Sequence, residues 1–271
     1  MPPIDVDARV IANVRLGHGY SVLALEAPAV GEQTAPGQFV MIKATPGTDP
    51  LLRRPFSVFE VLRDASGAVT AISILNKIAG RSTRLLYDLE PGDRVQCLGP
   101  LGRSFTVVGA PQQAWMVAGG VGLAPFATLA EALARAGTPA TLFYGARTGG
   151  ELFYLDYFER LGVTLALATE DGSRGARGRV TTPLEAALAR LGGPGMAMVQ
   201  ACGPEPMLEA VARLAARHGQ PSEVSVERTM GCGLGGCYSC VVPVKQGAEP
   251  PHFVRSCIAG PVFDGAGLVW D

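Results

Sequence analysis

Four cysteines in the last forty residues restrict the fold of this chain more than any other feature. Cys232, Cys237 and Cys240 form a C-x4-C-x2-C run, and Cys257 follows after sixteen further residues. This is the spacing of plant-type [2Fe–2S] ligation, in which four thiolates hold two irons. A loop can supply three of the four only if its backbone curls around the inorganic sulfurs. Gly231, Gly233, Gly235 and Gly236 permit that curl and leave backbone N–H groups free to point at sulfur. Two other readings remain open: a structural zinc site, since four cysteines also suit tetrahedral zinc, and a set of unrelated buried thiols. Cys97 and Cys202 stand outside the quartet.

The chain has 271 residues, enough for two ordinary domains or one large one. Hydrophobic residues make up 48% and charged residues 17%, which supplies a core and excludes wholesale disorder. The net charge of −1 gives no general attraction to nucleic acid or to an anionic membrane surface. The opening MPPIDVDARV lacks an apolar stretch behind a basic segment. The most apolar run, 115–130, is broken by Gly119, Gly120, Gly122 and Pro125, so no membrane span is expected and the chain reads as cytoplasmic. In a reducing compartment, clustered cysteines point to metal or redox work before disulfides.

The rhythm of the chain changes twice. Up to about residue 103, short β-branched runs (8–14, 20–25, 38–43, 57–62, 69–75 and 94–98) alternate with turn signals, which predicts an antiparallel barrel or sandwich with one short helix over 82–87. From 104 to 219, apolar strands at 114–118, 140–144, 163–168 and 197–201 alternate with helical patterns. That alternation predicts a doubly wound parallel sheet, whose ligands bind beyond the carboxyl ends of its strands. Those ends carry Gly119-Gly120, Gly145 and Cys202-Gly203. The stretch 220–271 has little helical periodicity and reads as a small module stapled by metal. His18, His218 and His252 form no metal or catalytic constellation.

Three motifs suggest nucleotide sites. Arg53-Arg54-Pro55-Phe56-Ser57 lies between two expected strands, where a solvated basic turn is the competing reading. Gly80-Arg81-Ser82-Thr83 precedes the short helix, whose free N–H groups and dipole suit an anion. Gly119-Gly120-Val121-Gly122 ends a strand and starts a helix, where small residues permit close backbone approach; an ordinary tight turn is the alternative.

Together with Gly99-Pro100-Leu101-Gly102, these motifs resemble the ferredoxin–NADP reductase superfamily, in which a β-barrel holds FAD and an α/β domain holds the nicotinamide nucleotide. The resemblance implies that Arg54 contacts the FAD pyrophosphate and that Pro55, Phe56 and Ser57 line the flavin, with Ser57 near its N5. It further implies Leu75, Asn76 and Lys77 as a second flavin-contacting strand, and Ser82 and Thr83 as phosphate ligands. Ser82 is a departure, since Gly-x-Gly-Thr is the expected pattern. Gly119, Gly120 and Gly122 would border NAD, and Cys202-Gly203-Pro204 resembles the motif beside the nicotinamide.

The order of barrel, nucleotide domain and cysteine quartet narrows the match. Thr169-Glu170-Asp171-Gly172-Ser173, Gly178-Arg179-Val180-Thr181 and Cys257-Ile258-Ala259-Gly260-Pro261-Val262-Phe263 closely resemble segments of the electron-transfer subunits of NAD-dependent, two-subunit dihydroorotate dehydrogenases. That resemblance implies a partner with FMN that oxidises dihydroorotate in pyrimidine (UMP) biosynthesis, in a heterotetramer of two copies of each subunit. Electrons would pass from FMN through the [2Fe–2S] cluster and FAD to NAD. Reductase subunits of ferredoxin:NADP transhydrogenases and sulfide dehydrogenases share many of these motifs and remain an alternative. A zinc-stapled nucleotide-binding module is the non-redox one.

Overall fold

The computed structural model describes residues 2–45, 47–245, 247 and 249–270. Six antiparallel strands close a barrel: β1 (Ile4–Gly17), β2 (Tyr20–Glu26), β3 (Phe39–Lys43), β4 (Arg54–Arg63), β5 (Val69–Lys77) and β6 (Arg94–Leu101), in the order β1-β2-β5-β4-β3-β6. Two short helices accompany it, α1 (Pro28–Gln33) and α2 (Arg81–Asp88). Strand alternation divides the side chains into two sets. Val40 and Ile42 join Val10, Leu23, Leu25, Ile72 and Ile74 in the barrel core. Phe39 and Met41 face the other way, with Leu98 and Leu101.

The α/β half contains β7 (Gln113–Gly119), α3 (Phe126–Arg135), β8 (Ala140–Ala146), α4 (Leu155–Arg160), β9 (Thr164–Thr169), β10 (Ala176–Arg177), α5 (Thr181–Leu188), β11 (Ala197–Cys202), α6 (Glu205–Arg217) and β12 (Ser222–Ser225). The chain then forms a hairpin of β13 (Val241–Val244) and β14 (His252–Arg255), a single-turn helix α7 (Ser256–Ala259) and β15 (Val262–Asp264). The main sheet runs β10-β9-β8-β7-β11-β12-β15, parallel throughout except for β15. Connections wind outward from the centre in both directions, so β7 and β11 flank the topological switch point, where such sheets bind ligands.

The expected architecture is thus present: a closed antiparallel barrel, a doubly wound sheet and a C-terminal segment carrying the cysteines. One difference concerns the last segment. Strands β12 and β15 both lie beyond residue 219 and both extend the main sheet. They have four and three residues, too few to show periodicity, and their partners are remote in sequence. Barrel and sheet share one hydrophobic cluster in which Tyr20, Val22, Phe59 and Leu75 meet Leu123, Phe126 and Leu129. Among the described residues no helix is long and apolar enough to cross a membrane.

Candidate redox and nucleotide sites

The β13–β14 hairpin brings the two buried cysteines together. Val241 pairs with Arg255, so Cys240 and Cys257 leave the ladder side by side, and the Ser256 N–H donates to the Cys240 carbonyl at 2.9 Å. The other two cysteines lie on the preceding loop, where Gly233 and Gly235 adopt left-handed φ of 72° and 80°. Tyr238 does the same at 58°, unusual for a side chain with Cβ. Cys237 is exposed and Cys232 half-buried.

The four thiols are free and fall into two neighbouring pairs, Cys237 beside Cys232 and Cys257 beside Cys240. Ser239 and then Cys232 hold the Cys237 thiol down to about 6, whereas burial and then Cys240 push Cys257 up to about 12. Donors to sulfur are already in place. The Leu234 N–H donates to Cys232 Sγ at 3.3 Å, and the Ser239 hydroxyl lies 3.2 Å from Cys237 Sγ. Among the described residues no three His, Cys, Asp or Glu side chains converge on one ion. Four soft thiols with a backbone N–H and a hydroxyl beside their sulfurs fit a two-iron cluster.

This module sits on the outer face of the barrel. Cys240, Cys257 and Met230 pack in one apolar cluster with Phe39, Met41, Leu98 and Leu101. A Cβ on Gly233 would lie 2.6 Å from Met41 Cγ. Past Cys257, Gly260 and Pro261 bind the barrel exit, with Arg103 N–H donating to the Gly260 carbonyl at 2.6 Å.

Pro55 and Ser57 of the flavin motif lie on the same face, whereas Phe56 packs against the barrel core. Along β3 and β4, Phe39 pairs with Ser57 and Met41 with Pro55, so these four side chains share one side of the sheet. Arg54, Pro55, Phe56 and Ser57 are all half-buried, as is Lys77, at the end of β5. Leu75 and Asn76 are buried. Asn76 Nδ2 donates to the Thr83 carbonyl at 3.1 Å and to Ser21 Oγ at 3.5 Å, while its Oδ1 is buried with no partner. An orphaned buried acceptor of this kind can take a donor from a ligand or from an ordered water. Thr83 differs from its expected part. Its hydroxyl accepts from the Ala79 and Gly80 N–H groups at 2.8 and 3.0 Å, so it braces the loop, and Ser82 is half-buried in the first turn of α2.

Sequence reasoning missed Tyr20. It stands opposite Lys77 in register, with the Lys77 ammonium 4.7 Å over its ring and Phe153 at 5.0 Å. Its hydroxyl is buried without a partner, close to Gly120. A lone tyrosine after Gly17-His18-Gly19 carries no spacing signal that could have revealed this.

At the switch point, β7 ends at Gly119 and β11 at Cys202, with Cys202 paired to Ala118. Gly120 turns the chain with φ 55°. Gly122 is buried, and a Cβ there would overlap the Cys202 carbonyl oxygen. Gly203, at φ 156°, touches Gly119. The glycines therefore let two strand ends meet; Gly119 and Gly120 remain half-buried, and a Cβ on Gly119 would meet Met207 Sδ at 2.7 Å. Burial pushes the Cys202 thiol up to about 12, so it stays neutral. Arg147, at the end of β8, is engaged by the nearly buried Glu151 carboxylate at 2.7 Å.

Comparison with known proteins agrees with this geometry. Residues 227–269 match the family model described as the iron-sulfur cluster binding domain of dihydroorotate dehydrogenase B. Residues 116–213 match the oxidoreductase NAD-binding domain. The electron transfer subunit of dihydroorotate dehydrogenase B (NAD(+)) from Desulforamulus reducens is 34% identical, over 98% of each chain. That of Geobacillus thermodenitrificans is 38% identical over 91% of each. Among solved structures, the NADH-dependent reduced ferredoxin-NADP oxidoreductase superimposes with a TM-score of 0.83 at 27% identity, over 98% of this chain and 90% of that one. A ferredoxin reductase of carbazole 1,9a-dioxygenase gives 0.69 at 26% identity, over 82% and 68%. Near-complete coverage at this identity shows that the chain belongs to the family of dihydroorotate dehydrogenase B (NAD(+)) electron transfer subunits.

Proposed function

We propose that this chain carries electrons between a dihydroorotate-oxidising subunit and NAD, as an oxidoreductase subunit in pyrimidine biosynthesis. The carrying observation is that Cys240 and Cys257, with the Gly233 loop that bears Cys232 and Cys237, sit on the barrel face of Phe39 and Met41, the register partners of Ser57 and Pro55. Residues 1–103 hold FAD, 104–219 hold NAD and 220–271 hold the [2Fe–2S] cluster, with β12 and β15 anchoring the last segment to the sheet.

Bound FAD supplies the exchange between two-electron hydride chemistry and one-electron cluster chemistry. The residues of this chain bind and position. Arg54 offers a planar fork to pyrophosphate, and the start of α2 with Ser82 offers N–H and O–H donors. Asn76 and Ser57 meet the flavin ring. Gly119, Gly120 and Gly203 admit the nicotinamide end at the switch point, and neutral Cys202 adds no competing charge there. No acid–base residue is required.

The partner is an FMN-containing catalytic subunit, two copies of each chain forming a heterotetramer in the cytoplasm. Leu234, Tyr238 and Ile258 are 54%, 62% and 50% exposed around the cysteine loop, an apolar rim suited to a protein partner. The purified full chain is expected to be brown-yellow, with iron, acid-labile sulfide and FAD, and to capture an FMN protein that oxidises dihydroorotate. A colourless, zinc-containing chain would refute the reading. Capture of a ferredoxin- or sulfide-linked partner instead would move the chain to the transhydrogenase or sulfide dehydrogenase type.

Asn76→Ala removes the donor to Thr83 and Ser21 together with the orphaned acceptor. FAD affinity is expected to fall about tenfold, as loss of one buried hydrogen bond implies. Flavin retained at the native ratio through gel filtration would remove Asn76 from the site.

A further inference from the structure

Arg255 is the last residue of β14, two positions before Cys257. It is half-buried. Its Nη1 donates to the Gly235 carbonyl at 2.8 Å, across the cysteine loop. Its guanidinium carbon lies 4.8 Å from the centre of the Tyr238 ring, between Cys237 and Cys240. One side chain thus fastens both arms of the loop to the strand that delivers the fourth cysteine.

Among the described residues no carboxylate pairs with Arg255. Ten arginines of this chain form ion pairs among the described residues: Arg9, Arg15, Arg53, Arg81, Arg94, Arg135, Arg147, Arg213, Arg217 and Arg228. Arg255 pairs with no carboxylate there, although partial burial makes an uncompensated cation costly. It sits two positions before Cys257 and clamps the loop that carries Cys232 and Cys237, whose thiolates would be negative when they hold a cluster.

We propose that Arg255 is the positioning residue of the iron–sulfur site and the cation that sets its reduction potential. The inference rests on the cluster assignment above. Two ferric ions, two sulfides and four thiolates carry net negative charge, and uptake of one electron deepens it. A guanidinium fixed beside the loop stabilises the reduced form more than the oxidised form, so it raises the potential. Its hydrogen bond to Gly235 and its stack on Tyr238 keep the charge in place.

The test uses the purified full chain with its cluster, in a redox titration followed by electron paramagnetic resonance, with iron and sulfide measured on each sample. Arg255→Gln keeps a donor for Gly235 and removes the charge. At full iron content it is expected to shift the reduced-to-oxidised ratio about tenfold toward the oxidised form, about 59 mV for a one-electron couple. Arg255→Lys keeps the charge and loses the planar fork. It is expected to titrate close to the native chain while its spectrum changes, because Gly235 and Tyr238 are no longer clamped. An Arg255→Gln variant with full iron and a native titration would overturn the proposal. If Arg255→Gln does not retain iron, Arg255→Lys decides: a native titration supports the charge role, and a tenfold shift or loss of iron with the fold intact overturns it. A native chain without iron and sulfide would instead refute the cluster assignment itself.

Discussion

Cys237→Ser is expected to yield a folded, yellow protein that no longer exchanges electrons with its partner. Cys237 is exposed, so the substitution leaves no cavity in the core. A serine hydroxyl is a poor ligand for iron beside soft thiolates, and the Cys232/Cys237 pair loses half its donors. Transfer from the partner should fall at least a hundredfold, roughly the upper end of what loss of an outer-shell partner costs. NADH oxidation with a small acceptor that takes electrons from the flavin should persist, because the switch point and the barrel are untouched. Dihydroorotate-dependent NAD reduction at the native rate would remove Cys237 from the ligand set. Loss of both activities would show that the loop also supports the flavin site.

Gly122→Ala should be among the most damaging single-atom additions to this chain. The new Cβ would overlap the Cys202 carbonyl oxygen and crowd Gly203, both backbone, so neither can swing aside. Overpacking of this kind costs about 3 kcal/mol, a Tm lower by about 10 °C. The strain falls between β7 and β11, so flavin reduction by NADH should slow, whereas chemical reduction of flavin and cluster by dithionite should not. Gly192→Ala is the control. It sits in open space with ordinary backbone and should stay within about 0.5 kcal/mol of the native chain. Equal losses in the two variants would contradict the crowding argument.

Much of this was legible because the signals are local. The barrel strands announced themselves by β-branched runs between turn residues, and the sheet by strands alternating with helices. Strand β1 runs further than its expected span because Asp5 and Asp7 read as polar and yet sit comfortably in a strand. Arg53 and Arg94 from neighbouring chain segments pair with them at 2.9 and 2.8 Å. The cysteine quartet was readable from spacing alone. Its supporting cast was not: Phe39, Met41, Leu98 and Leu101 are ordinary strand hydrophobics, and only register shows which of them leave the core and meet the cysteines. Tyr20, Ser239 and Arg255 act through contacts that no sequence pattern encodes. Helix α1 escaped because a glycine interrupts it. Gly31 is needed there because a Cβ would lie 2.7 Å from Val69 Cγ1 under the barrel.

The two-sided strand β3 limits how freely this architecture can be recombined. Positions 40 and 42 serve the barrel, and positions 39 and 41 serve the cysteine module. A reductase barrel lacking an apolar outer face on β3 and β6 could not accept the C-terminal segment as a simple graft. Its Cys240 and Cys257 would meet a polar wall, and Pro261 would lose the close seat that Gly102 leaves open. Inheritance of the segment therefore carries a matching set of residues on a strand two hundred positions away, and chimeras between relatives should be cut so that both travel together.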